Sequence, residues 1–240
     1  TVESMIRNFP DSFYLYHILS FIVDLSDVGE IGGEGVKLTG LANNIVGIIK
    51  QKGQNNKLLE GTAKLMEGYL KERSGNIIEA QELYKEVAEK YSSNEMLKSM
   101  VEIFICMRLL KDNKFKEAEN KLEKLQETLT KSENHFFLKN SWSLLGDLYR
   151  KQAEQEKENK DKFLKKGLYN YLNVYLFYIP TPEELPEIYA KSLYYGYKIL
   201  SELSQTAKTE AQKNEYTTKA QSLKNELQQR YANTMWAGKL

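Results

Sequence analysis

The sequence predicts an all-α chain of paired helices, and three observations carry that reading. Apolar residues recur at spacings of three and four over long stretches, the signature of helices with one buried face, and strand-type alternation is scarce. Proline is rare, at 4 of 240 residues, and glycine is modest, at 14. Small residues also return at matching places in successive helical segments, which predicts close helix crossings.

Taken in order, the periodicity places helices at 11–24, 36–52, 56–74, 76–91, 94–111, 114–131, 135–158, 160–178, 183–204 and 207–231. Turn chemistry separates them: FPDS at 9–12, RSGN at 73–76, SSN at 92–94, KDNK at 111–114 and IPTPEE at 179–184. The longest apolar run, residues 13–23, is shorter than the ~20 residues of a membrane span and contains His17. No transmembrane segment is expected. No signal peptide is visible, and because the chain starts at Thr1 a trimmed export signal stays open.

Charge excludes several partners. The 34 basic and 33 acidic side chains give a net charge of +1, so no global field draws the chain to nucleic acid or anionic lipid. The Lys/Glu-rich runs alternate in sign and read as solvated faces; KQAEQEKENKDK, 151–162, reads as a helix extension with a turn. A single cysteine, Cys106, allows no internal disulfide, and its apolar helix argues for an inert thiol. His17 and His135 lack partners at metal-ligand spacing, so neither metal nor cofactor is expected. The glycine-rich GEIGGEGVKLTG, 29–40, is no phosphate loop: Lys37 is followed by Leu38, and no strand precedes it.

Repeats come next. Residues 74–91 align with 111–129, bringing Ala80 onto Ala118 and Tyr84 onto Leu122. Segments 162–180, with Gly167 and Tyr171, and 217–234, with Ala220, extend the series. The small positions lie 38, 49 and 53 residues apart, so the repeat is irregular and lengthens toward the C-terminus.

Within WSLLGDLY, 142–149, the spacing of Trp142, Leu145, Gly146 and Tyr149 resembles the first helix of a tetratricopeptide repeat. Gly167, Tyr171 and Pro180 look like its second half, after an insertion of about nine residues. Gly68, Gly75, Ala80 and Tyr84 fit a second repeat, though YSSN replaces the usual YP. Cys106 with Ala118, and Gly196 with Ala220, suggest two more. The resemblance covers most of 56–237 and implies a right-handed α-α superhelix, a helical-repeat solenoid with extra N-terminal helices. Residues 1–55 are then N-terminal helices and a glycine-rich connector packed on the array, and 56–240 is one continuous repeat domain. FPDS and RYANTMWA are similar to repeat ends in bacterial cell-envelope members. That implies the periplasm or the outer membrane after signal removal; without it, the cytoplasm is the default.

The family register implies a concave groove, with Tyr69, Arg73, Met107, Lys111, Asp147, Arg150, Lys151 and Tyr197 as partner-binding candidates. Members that clamp a peptide's terminal carboxylates place Lys and Asn where this chain has Leu65, Tyr69, Ile103 and Met107, so that ligand is not expected. The implied function is a non-catalytic scaffold or adaptor that holds a peptide or helix of another protein. The alternatives are a homo-oligomeric, self-associating component of a bacterial envelope or assembly complex, and an enzyme built on Asp147 and Arg150. Residues 96–110 are apolar on nearly every face, so the groove can also be filled by helices 11–24 and 36–52.

Overall fold

The computed structural model describes residues 35–52, 55–176 and 186–240. Nine α-helices lie among them: α1 (Gly35–Lys52), α2 (Lys57–Arg73), α3 (Ile77–Lys90), α4 (Glu95–Lys111), α5 (Phe115–Lys131), α6 (His135–Gln155), α7 (Lys160–Leu176), α8 (Glu187–Gln205) and α9 (Glu210–Arg230). No strand occurs among the described residues. The expected helix at 11–24 and the IPTPEE turn up to Glu184 lie outside them. Residues 35–40 of the glycine-rich stretch belong to α1. The helix expected over 135–158 ends at Gln155 and passes through a 3-10 turn, Lys157–Asn159.

Side-chain caps start α2 and α4. Asn56 accepts from the amides of Leu58 and Leu59 at 2.9 and 3.2 Å, and Asn94 accepts from Met96 and Leu97 at 3.1 and 3.0 Å. Three connections end their helices alike. Gly75, Asn113 and Glu133 have φ of 87°, 58° and 53°. In each case the next amide reaches back five residues: Asn76 to Lys71, Lys114 to Leu109 and Asn134 to Leu129, all at 2.9 Å. This is the Schellman closure, which needs one left-handed residue. Only the first site is a glycine.

The chain divides into two units, residues 1–104 and 105–240, with the division inside α4. In the first, α2 packs on α1 and α3. Its core includes Ile49, Leu65, Met66, Ala80, Tyr84, Leu97 and Phe104. A Cβ at Gly68 would come within 2.7 Å of the Tyr84 ring, so glycine sets the α2–α3 distance.

In the second unit, neighbouring helices pack in succession: α5 on α6, α6 on α7, α7 on α8 and α8 on α9, and α6 also touches α8. Cys106, Ala118, Leu122, Leu145, Leu148 and Tyr149 form one core cluster. Tyr171, Leu164, Ile199 and Leu203 share another. Gly146 meets Tyr171, with an added Cβ only 2.6 Å from the ring, and Gly196 meets Leu223 at 2.9 Å. WSLLGDLY is therefore a packing device. Trp142 is half-buried against the cluster of Val174, Tyr189 and Leu193, while Gly146, Leu145 and Tyr149 are buried.

Candidate functional site

The last two turns of α6, the 3-10 turn and the start of α7 face the second half of α8 across a cleft of about 440 Å³ in the second unit. Its apolar floor is Ala153, Leu164 and Ile199. Tyr194 and Tyr195 form one wall. Arg150, Lys157, Lys160 and Lys198 contribute positive charge, against the carboxylates of Glu154 and Glu202.

The tyrosine wall is held rigidly. Tyr195 stacks on Tyr171 with ring centres 5.4 Å apart, and Trp236 lies 5.4 Å away on its tilted side. The Arg150 guanidinium sits 4.7 Å from the Tyr195 ring centre, a cation–π geometry. The chain after α9 returns to supply Trp236, which is buried with Tyr231 against α8.

Behind this wall lies a charged triad. The Tyr171 hydroxyl donates to Asp147 Oδ1 at 2.6 Å, and Lys191 Nζ donates to Oδ2 at 2.6 Å. Both carboxylate oxygens are thus engaged, with the Asp147 side chain 16% exposed. Burial, then Asp147, pushes the Tyr171 hydroxyl well above its ordinary pKa, so it stays a proton donor. Burial likewise raises Tyr195. For Arg150, desolvation opposes the charge, but Tyr171, Asp147, Tyr195 and Glu154 outweigh it and raise the pKa.

The cleft's ions are unequally used. Arg150 Nη1 donates to Glu154 at 2.6 Å, and Lys160 pairs with Glu202. Arg150 Nε is buried and has no hydrogen-bond partner among the described residues. Lys157 and Lys198 line the cleft, and neither is in an ion pair with any described residue.

The eight expected groove residues fare differently. In the first unit Tyr69 is only 4% exposed, its ring 5.4 Å from Phe104 and under the Arg73 guanidinium at 6.0 Å. The expectation of Tyr69 as a surface anchor is corrected: an aromatic facing the α4 core gains more from burial than from solvent, and Arg73 covers its rim. In the second unit Met107 is half-buried and Lys111 exposed. Lys151 is half-buried, its Nζ directed at the Leu110 carbonyl at 3.4 Å. Tyr197 is half-buried under Lys224, 5.6 Å away. Asp147 is half-buried and accepts from both Tyr171 and Lys191. Arg150 alone of the eight lines the cleft.

Sequence reasoning missed Lys157, Lys198, Tyr194 and Tyr195. Lys157 sits in the charged insertion that looked like plain solvated helix. The available signal was the insertion itself, because packing does not require extra length between Gly146 and its partner Tyr171.

No family model and no curated protein matches this sequence. Among solved structures, the chain is similar to the crystal structure of BtubC (BKLC) from P. vanneervenii. The TM-score is 0.50 at 14% identity, over 95% of this chain and 88% of that one. At this identity the likeness is one of fold.

Proposed function

We infer that the chain is a tetratricopeptide-like helical-repeat scaffold that holds a peptide or helix of another protein, without catalysis. The observation that carries this reading is the cleft: a preformed recess with tyrosine and arginine walls, on tightly packed helices, with the Lys157 and Lys198 ammonium groups left over after internal pairing. Tyr and Arg are the residue types that anchor protein interfaces, and a rigid wall lowers the entropic cost of binding. The recurring small-residue crossings at Gly68, Gly146 and Gly196 support the repeat reading. The carboxylate an enzyme would recruit, Asp147, is already held by two donors.

The test is crosslinking capture from the source cell, comparing wild type with a Met107→Glu/Arg150→Glu/Tyr197→Ala variant that remains folded by circular dichroism. A protein retained by wild type and lost by the variant supports the adaptor reading. Equal recovery by both overturns the surface assigned.

A second reading, self-association in an assembly complex, is favoured by α7. Tyr169 and Leu176, seven residues apart on one helical face, are each 65% exposed. Mass that rises with concentration, and returns to the monomer value in Tyr169→Glu/Leu176→Glu, is its expected signature.

A further inference from the structure

We propose that the cleft between α6, α7 and α8 binds an acidic segment of a partner protein, two carboxylate side chains flanking an apolar one. The inference rests on the scaffold reading and names the chemistry of its ligand.

The first argument is charge. Once Glu154 has paired with Arg150 and Glu202 with Lys160, the cleft retains two ammonium groups, Lys157 and Lys198. Both ammonium groups are solvent-exposed, so an incoming carboxylate can reach them without breaking an internal ion pair. Shape is the second argument. The charges ring an apolar floor of Leu164 and Ile199 beneath the Tyr194 and Tyr195 rings. A small hydrophilic anion would leave that floor wet; an aliphatic side chain between two carboxylates would cover it and meet a cation on either side. The volume, about 440 Å³, is in the lower range of binding pockets and suits a few side chains rather than a whole helix. The third argument is construction. Lys157 lies in the insertion between α6 and α7, which adds one wall of the cleft beyond what the Gly146–Tyr171 crossing needs.

The experiment uses the full chain and a fluorescein-labelled peptide of alternating glutamate and leucine, with binding read by fluorescence anisotropy. The expected result is saturable binding that weakens with added salt. It should fall about tenfold or more for the glutamine-for-glutamate peptide, and equally in Lys157→Gln/Lys198→Gln, since both remove the same charge contacts. Both lysines are at the cleft rim, and Trp142 and Trp236 fluorescence checks that the double variant stays folded. Equal binding by the glutamine peptide, or an undiminished double variant, overturns the proposal. If the glutamate peptide does not bind while a cellular partner is still lost on Met107→Glu/Tyr197→Ala, the scaffold reading survives and the acidic-ligand inference falls. If no partner depends on either set, both fall.

Discussion

Replacing Gly146 with alanine tests the central packing claim. In an exposed helix interior the change would gain about 1 kcal/mol in propensity. At Gly146 the new Cβ would lie 2.6, 2.7 and 2.8 Å from three atoms of the Tyr171 ring. That ring has no room to retreat: it is 0% exposed, stacked on Tyr195, and its hydroxyl is held by Asp147. Overpacking a core costs about 1–3 kcal/mol. If the ring shifts, its hydrogen bond to a carboxylate, about 1.5–3 kcal/mol, is strained or lost. Set against the propensity gain, Gly146→Ala should destabilise the second unit by about 2–4 kcal/mol. Gly196→Ala is the control, because its Cβ meets Leu168 Cδ1 at an ordinary 3.8 Å and clashes with one atom alone, the terminal Cδ1 of half-buried Leu223, at 2.9 Å. That methyl can swing aside, so the net change should stay within about 1 kcal/mol. Urea denaturation followed by tryptophan fluorescence reads the right unit, since Trp142 and Trp236 both lie in residues 105–240. If Gly146→Ala is as stable as wild type, or no worse than Gly196→Ala, the close-crossing argument is wrong.

Three further outcomes are expected. Tyr69→Ala removes a buried ring against Phe104 and should cost about 3–5 kcal/mol, read as lost hydrogen-exchange protection in α2 and α4; retained protection would return Tyr69 to the surface. Glu133→Gly relieves a left-handed non-glycine residue and should stabilise the second unit by up to about 1 kcal/mol; a lower urea midpoint would contradict the Schellman assignment. At alkaline pH, burial, then the Glu226 carboxylate, pushes Tyr175 up to about 12 from 10.0, and burial raises Tyr171 and Tyr195 as well. Folded-state values above unfolded ones mean that this stability is fully present below pH 10 and is lost as pH rises toward 12 and beyond. The urea midpoint should therefore fall over that range, less steeply in Tyr175→Phe, and a flat midpoint would refute the assignment.

Helix positions were legible because their causes are local. Apolar period and turn residues set α2 at Lys57–Arg73 against an expected 56–74, and α5 at Phe115–Lys131 against 114–131. Gly146 was likewise readable as a position of close helix approach, since a crossing demands a small residue wherever a large one intrudes, while Tyr171 as the ring that meets it came from the structure. The cleft was not legible. Its walls come from residues 150–164 and 194–202, which meet only when α7 and α8 pack. Asp147 found Tyr171 and Lys191 at separations of 24 and 44 residues, and no local spacing rule reaches that far. Tyr69 shows the same limit from the other side: its register was read from a family pattern, while its burial depended on Phe104 in another helix. The sequence by itself determined the helices and their small-residue crossings, because backbone period and side-chain size act within a few turns. Which polar groups were consumed and which were left facing a cleft was decided by tertiary structure, because pairing depends on where distant helices bring their charges.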